Sequence, residues 1–387
     1  MHYDFIFVGG GMAGLSLLYQ MLDEPSLRQK SILVLDKVRK DKNDRTWSFW
    51  TDQPTAFDDI VFREWQQIQI ISDTFSLELP LEMMRYKTIR GIDFYRQVQK
   101  RAERFQNVTF VQTEIESVKS EGNQAVVTSK GGQTFSADFV FDSRYTPELA
   151  ASAKRSSFYI LQHFKGWIIE TETPQFTPDQ ITMFDFRTPQ PDGLYFFYIL
   201  PFSPTTALVE YTAFSPQLLE DQAAYETPLK NYIEDQLGIK DYTVKEEEYG
   251  VIPMSNHEFN RQPAERVLRL GLAGGQAKPS TGYAFLRAQR DAKAIISGLK
   301  TDDFTFPERK VKPQFLFYDT LLLDILTRDG KAIKPLFEQL FQNNPIERLL
   351  YFLDERTKFH EDLRVMASVA PLPFLISVQR WAKRRIS

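Results

Sequence analysis

The residues best placed to do chemistry come first in the chain. Val8-Gly9-Gly10-Gly11-Met12-Ala13-Gly14 lies between an apolar run, Phe5 to Val8, and an amphipathic segment, Met12 to Leu22. Glycines at this spacing bring backbone against phosphate: Gly9 lets the chain turn, Gly11 lets it approach a pyrophosphate, and Gly14 lets the next helix pack closely on the strand. The helix start at Met12 and Ala13 then offers unpaired N–H groups and the positive end of the helix dipole to an anion, with no basic side chain needed. A second strand, Ile32 to Leu35, ends in Asp36, at the distance where a carboxylate accepts hydrogen bonds from the ribose hydroxyls of an adenine dinucleotide. The alternative is a structural strand–helix–strand unit with no ligand. Leu15, Leu18, Tyr19 and Leu22 at helical spacing, taken with the acid, favour the dinucleotide.

A second glycine element lies late in the chain. Val267 to Leu272 reads as a strand, Ala273-Gly274-Gly275 as a turn, and Tyr283 to Leu299 as a helix. Phe285, Ala288, Ala292, Ile295, Ile296 and Leu299 form that helix's apolar face, while Arg287, Arg290, Asp291 and Lys293 lie largely off it. Between turn and helix, Thr281, Gly282 and Tyr283 can bring backbone N–H groups against a flavin ring, or can be an ordinary strand-to-helix connection. Arg45-Thr46-Trp47-Ser48-Phe49-Trp50 puts three large aromatics beside an arginine just behind the nucleotide signature. Either they pack a core, or the segment runs under the flavin with Trp47, Phe49 and Trp50 lining a substrate cavity.

Composition limits what these elements can belong to. With 387 residues the chain can bury a sizeable core and hold two or three folding units. The absence of cysteine excludes disulfides, thiolate metal sites and cysteine nucleophiles, and four scattered histidines make no metal-ligand cluster, so no metal is expected. A formal net charge of -4 gives no case for broad nucleic-acid binding. A reducing, cytoplasmic setting fits, with no leader expected ahead of the first strand. Aromatics reach 14% of the residues, enough to fill a core and still line an apolar tunnel.

The elements that must position these residues fall into three regions. A nucleotide unit is expected from 1–58, 85–150 and 264–302, with a helix at Asp93 to Phe105 and short strands at Thr134 to Phe135 and Phe139 to Phe141. Residues 59–84 and 151–263 read as an antiparallel substrate sheet, with segments Trp65 to Ile71, Thr74 to Leu79, Tyr159 to Thr171, Ile181 to Phe186, Leu194 to Leu200 and Ala207 to Phe214. One helical insertion is expected at Pro216 to Leu237. Residues 303–387 read as helical from Pro307 on. The apolar tail Val365 to Val378 is broken by Pro371 and Pro373 and is followed by Arg380, Trp381, Lys383, Arg384 and Arg385. It is too short and too broken to span a bilayer. It suits either the membrane interface or docking on the protein body.

Several segments in order resemble the flavin-dependent bacterial lycopene β-cyclases of carotenoid synthesis. They are Val8 to Gly14, Arg45 to Trp50, Phe141-Asp142-Ser143-Arg144, Gln162 to Gly166, Met183 to Arg187, Leu208-Val209-Glu210-Tyr211-Thr212, Tyr249 to Met254 and Gly274 to Asp291. The resemblance implies a Rossmann-type FAD domain of the p-hydroxybenzoate hydroxylase class, an antiparallel-sheet substrate domain and a helical C-terminal region. The aspartate usual after the late glycine of that wider class is replaced here by Gly275, which makes hydroxylation a poorer reading. The implied reaction closes the ends of lycopene, via γ-carotene to β-carotene, by redox-neutral acid–base chemistry on reduced FAD. NADPH or NADH would supply the electrons and the membrane surface would be a peripheral partner. Such chemistry needs a carboxylic acid kept protonated by apolar surroundings. Glu210 fits, since alternation along Ala207 to Phe214 puts it on one face with Leu208, Thr212 and Phe214. Asp185 is the candidate second acid or base, with an ion pair to Arg187 as the alternative. The rival readings are a monooxygenase or isoprenoid reductase of the same fold, and a non-catalytic nucleotide-binding scaffold on the membrane surface.

Overall fold

The computed structural model describes residues 1–301, 304, 306 and 311–386. Pro307, the expected start of the helical region, lies outside the described residues, as do the side chains of Arg384 and Arg385 in the basic end.

The first sheet runs in spatial order Val108–Gln112, Ile32–Asp36, His2–Val8, Thr134–Asp142, Gln124–Ser129 and Ile115–Glu121, with Val267–Arg269 beside Thr134–Asp142. Its central pairs are parallel, which requires cover on both faces and explains why Phe5 to Val8 and Ile32 to Leu35 are buried without alternation. Helices Met12–Met21 and Phe285–Leu299 pack together on one face. A buried chain ties them, Gln20 Nε2 donating to Gln289 Oε1 at 2.8 Å and Gln289 Nε2 to Ser16 Oγ at 2.6 Å. Two expectations change here. Thr134 to Phe135 and Phe139 to Phe141 are one strand, Thr134–Asp142, because Phe135, Ala137 and Phe139 continue a single buried row. The late helix starts at Phe285, and Asp291 is buried in it because Arg261 Nη2 donates to its carboxylate at 2.6 Å.

The second sheet has the order Thr243–Ser255, Tyr159–Glu170, Thr206–Ser215, Leu194–Pro201, Gln180–Asp185, Gln67–Ile71 and Ser76–Pro80. It is antiparallel except where Gln180–Asp185 meets Gln67–Ile71. The 13-residue edge strand Thr243–Ser255 is absent from the expected elements, since its Glu246-Glu247-Glu248 reads as solvated charge. The expected segment Trp65 to Ile71 divides at Gln66. Arg63–Trp65 joins a small sheet with Thr46–Thr51 and Arg85–Arg90, while Gln67–Ile71 enters the large one. The helical insertion, Ala223–Asn231 with a wider turn at Tyr232–Gln236, covers the outer face through Tyr225, Leu229, Tyr232 and Ile233.

Among the described residues five C-terminal helices, Pro313–Arg328, Ile333–Asn343, Ile346–Leu353, Phe359–Ala367 and Leu372–Ile386, close over the inner face and share its core. The last of them docks on the first. Asp324, nearly fully buried, accepts from Ser377 Oγ at 2.7 Å and Arg380 Nε at 3.0 Å, and Trp381 meets Phe317 edge-on at 5.0 Å. Among the described residues no helix is long and apolar enough to cross a membrane.

Candidate active site

A cavity of about 540 Å³ lies where the nucleotide unit, the inner face of the large sheet and the C-terminal helices meet, within the usual range for a small-molecule site. Sheet register orders its floor. One row reads Ile252, Gln162, Phe214 and Leu194; the next reads Gly250, Phe164, Thr212 and Phe196; a third reads Glu248, Gly166, Glu210 and Tyr198. Phe315, Phe337, Phe341, Phe352 and Phe374 from the C-terminal helices form the facing wall.

The nucleotide end is made of backbone. Gly11, Met12, Ala13, Arg45, Ser143, Thr281, Gly282 and Tyr283 line the cavity there. Gly9, Gly14, Gly274 and Gly275 do not line it but shape the turns behind it. Gly9 has φ of +97°, and a Cβ on Gly14 would come within 2.8 Å of the Gly9 carbonyl oxygen. The helix from Met12 has no side-chain cap and no acid in its first turn, so its leading N–H groups are left for a ligand. Asp36 braces this turn, its Oδ2 accepting from Gly10 N–H at 2.6 Å and its Oδ1 from Val38 N–H at 2.7 Å. Each oxygen keeps a lone pair for a ribose hydroxyl.

Two observations test whether an isoalloxazine ring suits the other end. Gly282, at φ +73°, leaves room that a side chain would take from Gln162, and the buried Gln162 Oε1 has no hydrogen-bond partner. A ring N–H in this space would satisfy that acceptor. The residues therefore fit FAD, with the turn at Gly9 to Gly14 for its phosphates and the segment Thr281 to Tyr283 for its ring.

The aromatic block divides between cavity and core, though not by simple alternation, since Trp47 and Phe49 both meet Phe285. Trp47 and Trp50 line the cavity, Trp50 meeting Tyr283 edge-on at 4.5 Å and donating from Nε1 to the Leu350 carbonyl at 3.1 Å. Phe49 corrects the expectation: it stacks on Phe285 at 4.6 Å in the nucleotide core and does not line this cavity. Three phenols meet above the floor, Tyr86 bonding Tyr198 at 2.7 Å and Tyr283 at 2.9 Å, and burial holds all three well above the ordinary tyrosine range.

The two candidate acids have opposite surroundings. Asp185 is fully buried on the other face of the sheet, where Arg187 Nη2 pairs with it at 2.6 Å and Tyr232 O–H donates to it at 2.7 Å. It does not line the cavity, and its guanidinium partner makes it a structural ion pair, not a proton donor. Glu210 projects into the cavity with only 8% exposure. Its one described side-chain partner is a hydroxyl, Thr212 Oγ1 donating to Oε1 at 2.6 Å, and no described cation pairs with it. Burial, and then the charge of Glu248, push its carboxyl up to about 8 against the lowering effect of Thr212. Sequence reasoning missed Gln162, Tyr86, Tyr198 and Glu248 as cavity residues. These needed the sheet register, whereas alternation already puts Thr212 on the face of Glu210.

The architecture defines the class: an α/β fold resembling those of FAD-dependent oxidoreductases and halogenases, with a C-terminal helical region. A flavin-dependent brominase superimposes over 99% of this chain and 100% of its own with a TM-score of 0.64 at 13% identity. HpxO of Klebsiella pneumoniae, complexed with FAD, does so over 92% and 98% at 0.63 and 15%. A geranylgeranyl bacteriochlorophyll reductase-like protein of Thermoplasma acidophilum gives 96%, 97%, 0.60 and 14%. Within that class the chain belongs to the lycopene cyclase family, whose model, described as "Lycopene cyclase protein", matches residues 4–380. Lycopene beta-cyclase of Pantoea ananas is 26% identical over 98% of this chain and 97% of its own length. Its counterpart in Paracoccus is 26% identical over 77% and 74%.

The state of Glu210 has a measurable consequence. Below its ordinary value, about 4.5, both folded and unfolded chains hold the proton; between there and about 8 the unfolded chain releases it while the folded chain keeps it, so stability is lost as pH rises through that range. Glu210→Gln cannot ionise, and should melt above the parent at about pH 9, with the advantage shrinking toward about pH 5. A difference in melting temperature that does not change with pH contradicts the neutral-acid assignment.

Proposed function

We propose that this enzyme is a lycopene β-cyclase in which Glu210 is the proton donor. The observation that carries the reading is a carboxyl group buried, with no cation among the described residues paired to it, in the wall of an apolar, aromatic cavity. Glu210 gives its proton to a terminal C=C of the polyene. The neighbouring double bond attacks the resulting cation and forms the ring bond, and a ring C–H then releases its proton to the carboxylate, so the product is an isomer and the acid is restored. Trp50, Phe164, Phe196 and the facing phenylalanines keep water from the cation and surround it with aromatic rings. Thr212 holds the Glu210 side chain by its 2.6 Å bond.

FAD would be held by Gly11, Met12, Ala13, Arg45, Thr281, Gly282 and Tyr283, with Asp36 toward its ribose. When bound and reduced it supplies an electron-rich ring near the developing positive charge. NADPH or NADH is the proposed source of the reducing electrons, delivered without a second dinucleotide fingerprint in this chain.

We place the enzyme peripherally on the cytoplasmic face of the membrane. Phe359 and Leu363 on one C-terminal helix and Leu372 and Leu375 on the next are half or more exposed, while Val365, Met366 and Phe374 of the same helices line the cavity. A polyene dissolved in lipid would then reach the cavity through the wall that touches the bilayer.

In a lycopene-accumulating host, the parent should yield cyclised product of unchanged mass, and Glu210→Gln should retain fold and flavin but lose at least ~100-fold in rate. Ring formation by the variant at the parental rate removes Glu210 from the mechanism, and a product mass shifted by oxygen or hydrogen favours a monooxygenase or reductase. For the membrane reading, replacing Leu372 and Leu375 together with Asp should reduce co-sedimentation with anionic vesicles severalfold; unchanged binding contradicts it.

A further inference from the structure

Glu248 occupies the edge strand Thr243–Ser255, and the reaction described so far gives it no part. In the register of three adjacent strands, Gly166 is paired with Glu210 on one side and with Glu248 on the other. Residues paired across neighbouring strands point to the same face. Both glutamates therefore rise into the cavity from either side of a residue that has no side chain, and both line it. The gap is a close fit: a Cβ on Gly166 would come within 2.9 Å of Leu208 Cδ1 and 3.5 Å of Glu210 Cβ and Cγ. With two strand spacings of about 4.8 Å between their backbones, two glutamate side chains can face each other across this opening.

Their surroundings differ in one respect that decides which is charged. Glu248 Oε1 accepts the backbone N–H of Thr46 at 2.9 Å, and the cavity wall beside it carries Arg45 and Asp44. Glu210 has the Thr212 hydroxyl and, toward Tyr198 and Tyr283, neutral phenols. The outward neighbour Glu247 is occupied elsewhere, accepting from Lys165 on the opposite face at 2.5 Å. A backbone donor and a nearby guanidinium favour a carboxylate, whereas a lone hydroxyl in an apolar wall favours the acid.

We infer that Glu248 is the ionised member of a carboxyl pair and that its charge, acting across the Gly166 opening, holds the exchangeable proton on Glu210. Glu248 is a positioning residue in this arrangement: it acts through Glu210 and sets which of two acids is loaded. The inference rests on Glu210 being the proton donor. It is supported by the order of the two groups, since burial raises Glu248 only to about 7 against the lowering effects of Thr46 and Arg45, while Glu210 stands at about 8. Asp44 is the one described acid that pushes Glu248 the other way.

The test is the pH profile of cyclisation by the full-length, flavin-loaded Glu248→Gln protein. Removing the charge should move the alkaline limb to lower pH by on the order of one unit, so that the loss of rate relative to the parent is roughly fivefold larger at about pH 8 than at about pH 6, with KM little affected. Glu248→Asp should keep the limb near the parental position. An alkaline limb that stays in place in Glu248→Gln, with activity lowered equally at all pH values, overturns the inference and leaves Glu248 a structural residue. Difference infrared titration of the parent gives a second reading that needs neither activity nor a folded Glu248 variant. The protonated carboxyl band that Glu210→Gln removes should persist after another carboxyl has ionised; if that band is the first to disappear, the pair is loaded the other way round. Loss of this pattern is separate from failure of the acid role itself, which is read from the activity of Glu210→Gln.

Discussion

A carboxyl group buried without a counter-charge is the constraint on which the rest of this structure turns. Removing a carboxylate from water costs several kcal/mol unless a cation or several donors replace the solvent. The sheet resolves this in two ways on its two faces. Asp185 is given a guanidinium and a phenol inside the outer core. Glu210 is given one hydroxyl, and the cheaper state there is the neutral acid, the state that proton donation to π electrons would require. Glycine at position 166 and a second acid at 248 belong to that choice, because the first makes room and the second discourages charge.

The three layers meet around this acid by means of a buried ionic joint. Lys278, in the segment between late glycine turn and helix, donates to Asp319 at 2.9 Å and to Glu355 at 3.0 Å, and Arg287 donates to Glu355 at 2.7 Å. Lys278 and Asp319 are both almost completely buried. These groups fix the C-terminal helices to the flavin side of the cavity, so the apolar wall and the nucleotide turns are held in one register. Broken singly, such a joint would leave an uncompensated charge inside, which makes the arrangement all-or-none.

Much of the nucleotide unit was legible because local signals and tertiary structure agree there. The glycine spacing at Gly9 to Gly14 states its own backbone requirement, and Phe5 to Val8 and Ile32 to Leu35 carry the unbroken apolar runs of parallel strands. Glu210's face was legible from alternation in Thr206–Ser215. What escaped depends on pairings remote in sequence. Glu248 sits in a run of three glutamates whose local pattern is that of solvent, and only its register opposite Gly166 turns it inward. Phe49 looked like a cavity residue beside Trp47 and Trp50, but Phe285, more than two hundred positions away, claims it for the core. Gln162 has no local signature at all, since its meaning is the glycine at 282 that it faces.

The central claim is that one proton passes from the protein to the polyene and one returns, with no electrons gained or lost. Cyclisation by the reduced holoenzyme in deuterium oxide, followed by mass spectrometry of the carotenoid, tests it most directly. The acid's exchangeable proton becomes a deuteron and the proton later lost comes from carbon, so each ring formed should add one deuterium in place of one hydrogen. Product containing no solvent deuterium, or carrying two added hydrogens per ring, would contradict proton donation from the buried carboxyl.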